Sequence, residues 1–192
     1  MVEKELKFKI QDINKLLDKL DNLGAKKEKR VFERTVMFDN SSGIMKVTDG
    51  RLRLRTKIEE NGTKGAQLSY KKPLTRKGIK QEIDIVVDIG DPQKIEKILY
   101  YADYKPVSSY ERFRTIYYLY DAEISIDEFP FGNYIEVEAD NLEKLRELAT
   151  KLDFSMEKNI TLSYDTLYYN QRISEGKEPI MHIVFTDKDL GR

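Results

Sequence analysis

The sequence contains no cysteine, which excludes disulfide bonds, thiolate nucleophiles and zinc sites built on cysteine ligands. The only histidine is His182, so any site that needs two imidazole groups is excluded as well. Metal ligands must therefore be carboxylates, whose hard oxygen donors suit Mg²⁺, Mn²⁺ or Ca²⁺.

The sequence also lacks a net charge and a long apolar run. Its 34 Lys and Arg residues balance 34 Asp and Glu residues, so no overall basic field holds nucleic acid or an anionic membrane non-specifically. No apolar run approaches the roughly 18 residues that cross a bilayer. The first residues, MVEKELKFKI, are charged where a signal peptide would be apolar. We expect a soluble, cytoplasmic protein without a nucleic-acid or membrane partner.

Apolar residues recur at helical spacing in three segments, each of which follows a typical start signal. The segments are residues 12–23, 92–103 and 141–152. Asp12 precedes the first, Asp91 and Pro92 open the second, and Asp140 or Asn141 opens the third. We expect all three to be outer helices of one compact domain.

Period-two alternation and frequent β-branched or aromatic residues predict strands in much of the remaining chain. The predicted strands are residues 2–10, 32–38, 51–58, 66–72, 79–88, 109–120, 122–128 and 133–139. Asn61-Gly62 signals a hairpin turn, and a second hairpin is expected around Asp121. Strands joined mostly by turns indicate a largely antiparallel sheet, and closure into a barrel would remove its edges.

The last part of the chain differs in character from the rest. The polar run SEGKEP is followed by an apolar run that contains His182, for which we expect a structural role. We therefore divide the chain into a domain of residues 1–170 and a C-terminal extension of residues 171–192. An extra strand and a contact with a partner are both open interpretations of this extension.

Charges of one sign repeat along single faces of the predicted strands. Because side chains alternate across a strand, Arg51, Arg53 and Arg55 share a face opposite Leu52 and Leu54. The same alternation places together Glu3 with Glu5, Glu82 with Asp84, Arg112 with Arg114, and Glu136 with Glu138. Like charges repel, so a fold tolerates this pattern where opposite charges face it. A half-solvated sheet explains one such strand, but the repetition predicts a barrel with outer helices and a charged channel.

The basic and acidic side chains of such a channel suit two kinds of ligand, phosphate groups and divalent metal ions. Guanidinium groups match phosphate oxygens bidentately, and lysine acts as a point charge. Clustered carboxylates bind divalent metal, which in turn bridges phosphates. The pattern therefore fits a metal-complexed polyphosphate better than a bare anion, and it fits a nucleic-acid duplex poorly.

Seven segments carry a resemblance to a known family. The first is Glu3-Lys4-Glu5-Leu6-Lys7, which reads as E-x-E-x-K. The others are Leu52-Arg53-Leu54-Arg55, residues 69–73, residues 80–84, residues 112–117, residues 126–138 and residues 163–167. In order and approximate spacing they resemble the motifs of the CYTH family over residues 2–169. These triphosphate tunnel metalloenzymes include class IV adenylyl cyclases, thiamine triphosphatases and inorganic triphosphatases. Lys80, Asp84 and Arg112 depart from the residues usual in that family.

The resemblance implies an α+β fold, a closed eight-stranded antiparallel barrel with helices packed outside. It also implies Mg²⁺ or Mn²⁺ as cofactor and a small-molecule triphosphate as substrate. The implied metal ligands are Glu3, Glu5, Glu136 and Glu138, with Glu82, Asp84 and Asp127 completing the acidic set. The implied substrate-binding residues are Lys7, Arg53, Arg55, Lys71, Lys80, Arg112 and Arg114. The candidate catalytic residues are Glu3, Glu5, Lys7 and Glu138. Asp127 has a second interpretation, as a buried partner of an arginine.

Three functions are open at this point. The first is a metal-dependent triphosphatase that hydrolyses tripolyphosphate, thiamine triphosphate or a nucleoside triphosphate. The second is a class IV adenylyl cyclase, in which the ribose 3′-hydroxyl attacks and pyrophosphate leaves. The third is a module that binds polyphosphate or nucleotide without turnover. Hydrolysis ranks first because cyclisation also needs the base and sugar in one pose. The oligomeric state is open, with a homodimer as one option.

Overall fold

The computed structural model describes residues 2–75, 80–187 and 189, with the backbone alone for residues 2 and 3. Its strands are β1 (Val2–Lys9), β2 (Lys26–Asn40), β3 (Arg51–Glu59), β4 (Lys64–Thr75), β5 (Lys80–Asp88), β6 (Tyr104–Leu119), β7 (Ala122–Phe129), β8 (Gly132–Glu138) and β9 (His182–Ile183). Its helices are α1 (Ile13–Asn22), α2 (Ile44–Thr48), α3 (Pro92–Tyr101), α4 (Leu142–Lys151) and α5 (Tyr164–Ser174), with a short 3₁₀ turn at Met156–Lys158.

Eight of these strands form a closed antiparallel barrel. Their order is β2-β3-β4-β5-β1-β8-β7-β6, and β6 pairs back with β2 to complete the circle. The short β9 pairs in parallel with β6 at Ser109 and Tyr110. The predicted barrel and its antiparallel pairing are confirmed. Residue 79, predicted to begin the fifth strand, lies outside the described residues, and the division of the chain at residue 170 stays a prediction.

The strand connections follow the predicted turn chemistry. Gly62 has φ 83°, a left-handed conformation that glycine adopts without strain, in the turn between β3 and β4. Tyr120 and Asp121 have φ 50° and 57° between β6 and β7, so both central residues of this hairpin turn are left-handed. Both predicted hairpins are therefore present.

The main hydrophobic core lies outside the barrel, between its wall and two helices. The side-chain carboxylate of Asp12 caps α1, and the side chain of Asn141 caps α4. Core residues from the barrel wall and these helices include Leu6, Phe8, Leu16, Leu20, Ile124, Ile135, Val137, Leu145 and Leu148. A smaller core forms where Leu99 of α3 packs with Phe38 and Leu54. Because the apolar strand faces point outward to the helices, the charged faces point into the barrel.

Two helices in the structure were not predicted. The five residues of α2 join β2 to β3, and α5 places Tyr164 in a third core with Tyr110, Phe129 and Tyr134. The sequence of α5 has no strong apolar stripe, which explains why periodicity did not reveal it. Within the part of the chain that the structure describes, no helix is long and apolar enough to span a bilayer.

Candidate active site

The barrel interior contains a charged cavity of about 370 Å³. Twelve of the residues predicted for the site line it. They are Glu5, Lys7, Arg53, Arg55, Lys71, Lys80, Glu82, Asp84, Arg112, Arg114, Glu136 and Glu138. Asp127 lies behind this lining and is fully buried, and the side chain of Glu3 lies outside the described part of the chain. The structure therefore brings together, in one cavity, residues from six strands that the sequence separates widely.

Carboxylates and lysines from adjacent strands alternate on one wall of the cavity. Glu5 of β1 is in register with Glu138 of β8 on one side and with Lys80 of β5 on the other. Lys80 Nζ lies 2.9 Å from Glu5 Oε1, and Lys7 Nζ lies 3.6 Å from the same oxygen and 3.2 Å from Glu136 Oε1. Burial opposes the charge of Lys7, but Glu136 and Glu5 outweigh it and raise the Lys7 pKa. Both signs of charge are therefore kept inside the barrel.

Asp127 organises the arginines of β6. Its Oδ1 accepts from Arg114 Nε at 2.7 Å, and its Oδ2 accepts from Arg112 Nη1 at 2.8 Å. The Tyr164 hydroxyl of α5 donates to Oδ2 at 2.7 Å. Arg114 also bonds Glu136, which connects this network to the carboxylates on β8. A buried carboxylate with this many donors positions the guanidinium groups that face the cavity.

Glu33 on β2 completes the network and was not predicted. It accepts from Arg112 Nε at 2.8 Å and from Arg112 Nη2 at 2.6 Å. Burial favours its neutral form, but Arg112 and Arg55 together hold its pKa well below the ordinary range. The residues nearest Glu33 on its own strand face, Val31 and Thr35, are uncharged, so no repeating charge pattern marked it in the sequence.

Ion pairs also connect β3, β4 and β5 on the adjoining wall. Lys71 Nζ lies 2.7 Å from Asp84 Oδ2 and 3.3 Å from Glu82 Oε1, and Arg51 bonds Glu82. Burial opposes ionisation of Glu82, but Arg51, Lys80 and Lys71 lower its pKa to about 2. In this structure, Glu82 and Asp84 therefore serve as counter-charges for basic side chains.

Two buried arginine nitrogens that face the cavity, Arg51 Nε and Arg55 Nε, have no hydrogen-bond acceptor in the described structure. Arg55 Nε lies 3.6 Å from Glu33 Oε2, an ion pair without a hydrogen bond. Burial and the neighbouring charge of Arg55 lower the pKa of Arg53, which shows that positive charge is crowded here. Buried polar groups are normally satisfied, so these donors indicate a site for an anion.

Tyr110 is a further unpredicted residue of the cavity. Burial opposes ionisation of its phenol, but Arg112, Arg53 and Arg55 lower its pKa to about 8. It lies two residues before Arg112 on the inward face of β6, so the alternation that placed the arginines also places it.

Carboxylates in this site match the donor chemistry of a hard divalent cation. Glu5 and Glu138 face each other across β1 and β8, and Glu3 is two residues from Glu5 on the same strand. Among the described side chains, no three carboxylate or imidazole groups converge into a ready metal site. Lys80 Nζ donates to Glu5 Oε1 at 2.9 Å, so a metal that binds this oxygen would compete with the lysine.

Comparison with known proteins agrees with this geometry. The family model described as the CYTH domain matches residues 1–165. The chain belongs to the CYTH family. A candidate adenylate cyclase from Methanocaldococcus jannaschii is 32% identical to this CYTH protein over 174 residues, covering 85% of the chain and 97% of the relative.

Solved structures share the same fold. A candidate adenylate cyclase from Vibrio parahaemolyticus matches with a TM-score of 0.76 and 17% identity, over 87% of this chain and 97% of the other. A candidate adenylyl cyclase from Hippeastrum, described as having a dominant triphosphatase activity, matches with a TM-score of 0.63 and 17% identity. That match covers 91% of this chain and 96% of the other. At these identities the likeness establishes the fold of this CYTH protein and not its reaction.

Proposed function

We propose that this CYTH protein is a divalent-metal-dependent triphosphatase. The observation that carries the proposal is the set of buried, unsatisfied arginine donors in the charged cavity, at Arg51 and Arg55. A triphosphate carries several oxygens that accept such donors along its length. The cavity volume of about 370 Å³ also suits a small-molecule substrate.

The basic side chains on β3, β4 and β6 bind the phosphate oxygens in this proposal. Arg53, Arg55 and Lys71 lie on one wall, and Arg112 and Arg114 lie on another. They stabilise charge that develops on the phosphoryl oxygens and on the leaving group. Lys7 and Lys80 are placed to take part once the carboxylates near them bind metal.

The carboxylates divide into two groups. Glu5 and Glu138 would supply oxygens for Mg²⁺ or Mn²⁺, together with Glu3 and Glu136, each two residues away on the same strands. The ion would supply positive charge to the phosphate oxygens. Asp127 is assigned to positioning, because its oxygens already accept from Arg112, Arg114 and Tyr164. Glu82 and Asp84 are assigned to charge balance for Lys71 and its neighbours.

Adenylyl cyclase is the second candidate, and one finding favours it. The relative from Methanocaldococcus jannaschii bears that description at 32% identity across most of both chains. The same triphosphate site would serve both reactions, with a ribose hydroxyl instead of water as nucleophile. Hydrolysis ranks first because it requires no fixed pose of base and sugar.

Phosphorus NMR and nucleotide chromatography test the proposal. The protein is offered tripolyphosphate, thiamine triphosphate and ATP in parallel, with Mg²⁺ or Mn²⁺. Orthophosphate release is the expected result. Formation of cyclic AMP and pyrophosphate would instead establish the cyclase. Absence of turnover would favour the third function, a module that binds polyphosphate or nucleotide without reaction. Glu138→Gln is the matched variant, because it keeps the shape of Glu138 and removes the charge proposed to bind metal.

A further inference from the structure

A second cavity, of about 300 Å³, lies on the outer side of the barrel wall. Its floor is apolar and is formed by residues of β1, α1 and the chain that follows each of β1 and α4. The floor residues are Phe8, Ile10, Leu16, Leu152, Phe154 and Ile160. No residue that lines this cavity also lines the charged cavity inside the barrel. We call the second cavity the outer pocket.

Aromatic rings form the centre of the floor. Phe8 and Phe154 stack with ring centroids 4.8 Å apart and ring planes 11° apart. Phe8 is buried in the main hydrophobic core, whereas Phe154 and Ile160 are only partly buried. Water in a concave apolar surface finds few hydrogen-bond partners. A ligand with an apolar body therefore gains free energy when it replaces this water.

The edge of the outer pocket carries an excess of positive charge. Its charged lining residues are Lys9, Lys15, Lys19 and Lys158, with Asp12 and Asp153 as the only acids. Both aspartates already have partners, because Asp12 accepts from the backbone N–H of Lys15 at 3.1 Å and Asp153 forms an ion pair with Lys19. Lys9 and Lys158 are exposed, and neither forms an ion pair within the part of the chain that the structure describes.

The floor and the edge suit different parts of one ligand. A small inorganic anion would gain nothing from the phenylalanine rings, and a neutral apolar molecule would make no use of the lysines. A volume of about 300 Å³ is at the lower end of the range for small-molecule sites. The pocket therefore matches a small molecule that carries an apolar chain and one anionic headgroup.

We propose that the outer pocket binds a small amphipathic anion, with its apolar chain on Phe8 and Phe154 and its headgroup beside Lys9 and Lys158. This site is additional to the proposed function, because it shares no residue with the charged cavity. Two sources share the chemistry, a carboxylic acid and a phosphate monoester that each carry one apolar chain.

Calorimetry with four probes separates the contribution of the floor from that of the edge. Octanoate has a chain and a carboxylate, octyl phosphate has the same chain and a phosphate, 1-octanol has the chain without a charge, and acetate has the charge without a chain. We expect one molecule of octanoate or octyl phosphate to bind per protein chain. 1-Octanol should bind more weakly, and acetate should not bind detectably.

Lysine variants locate the headgroup. Lys158→Gln should weaken binding of the anionic probe roughly 5-fold, and the double variant Lys9→Gln/Lys158→Gln should weaken it roughly 10-fold or more. Binding of 1-octanol should not change, because it uses no charge. Lys27→Gln is the matched control and should bind like wild type, since Lys27 is exposed, lies outside the outer pocket and has no ion pair in the described structure.

Arg55→Ala excludes binding in the charged cavity, because Arg55 lines that cavity and not the outer pocket. We expect this variant to bind octanoate and octyl phosphate like wild type. Tighter binding of octanoate identifies a carboxylic acid, and tighter binding of octyl phosphate identifies a phosphate monoester. The proposal is overturned if neither probe binds, if the double lysine variant binds like wild type, or if Arg55→Ala or Lys27→Gln weakens binding as much as Lys158→Gln does.

Discussion

Asp127 binds the guanidinium group of Arg114 with both carboxylate oxygens, through two hydrogen bonds of 2.7 Å each. The carboxylate also accepts from Arg112 and from Tyr164, so one buried charge fixes side chains of β6 and α5 together. The orientation of both arginines toward the cavity therefore depends on a residue that does not line the cavity itself.

Asp127→Asn is expected to destabilise the fold. It removes the negative charge that compensates two buried arginines, and breaking a buried pair in this way costs about 3–5 kcal/mol. Urea unfolding measures the loss. Glu128→Gln is the control, because the neighbouring Glu128 forms a partly exposed pair with Arg30 and should cost less than about 1 kcal/mol. Equal stability of Asp127→Asn and wild type would contradict the positioning role.

Arg55→Ala is expected to weaken triphosphate binding by roughly 10- to 100-fold, the loss of one charge-assisted hydrogen bond. The buried Arg55 Nε has no hydrogen-bond acceptor in the described structure, so a bound phosphate is its natural partner. Calorimetry with tripolyphosphate measures the change. Arg34→Ala removes an exposed arginine of the neighbouring strand that lies outside the cavity and should bind like wild type. The assignment fails if both variants bind alike.

Tyr110 is expected to ionise at a lower pH than the other buried tyrosines. Its pKa of about 8 lies below the ordinary value of 10, whereas burial, Asp127 and Glu136 raise the pKa of Tyr164 well above that value. Because the folded pKa is lowered, ionisation adds stability above pH 10, and this contribution is lost as the pH falls through about 8.

An ultraviolet pH titration of the wild type should therefore show one tyrosine ionising near pH 8, before the others. Tyr110→Phe should remove that step, and Tyr134→Phe should keep it, since burial raises the Tyr134 pKa. An early step that persists in Tyr110→Phe would show that the arginines acidify a different phenol.

Lys80→Met is expected to change two affinities in opposite directions. Lys80 Nζ lies 2.9 Å from Glu5 Oε1, so removing it frees an oxygen for metal and raises Mn²⁺ affinity severalfold, on the order of 1 kcal/mol. The same change removes a cation from the cavity and lowers triphosphate affinity. Calorimetry with each ligand in turn tests this, and a fall in both affinities would argue against metal binding at Glu5.

How far the site could be predicted from sequence depends on the pattern of each strand. In β3 the alternation of arginine and leucine is unbroken, so the inward position of Arg53 and Arg55 followed directly from the period of two. In β2 the inward residues include Val31, Glu33 and Met37, which share neither charge nor polarity. Glu33 could therefore not be recognised without its three-dimensional partners.

Strand register is the second reason why the contacts between side chains in the site could not be predicted from the sequence. The pairing of β2 with β6 shifts between Lys27 and Lys29 and again between Met37 and Phe38, so the facing residues cannot be counted from the strand ends. The contact of Tyr164 with Asp127 also needs α5 in place, and nothing local specifies where that helix packs. The sequence predicted the wall of the barrel and the residues on it, but not the network behind them.

Closure of the barrel by β2 and β6 has a consequence for how the protein folds. These are the two longest strands, and they join an early part of the chain to a late one. Such non-local pairing must overcome a large loop-closure entropy and is typical of slow steps in folding. The cavity is enclosed only when this pairing forms, so partly folded chains contain no complete site. Titration with a ligand that binds in the cavity therefore measures the concentration of fully folded molecules only.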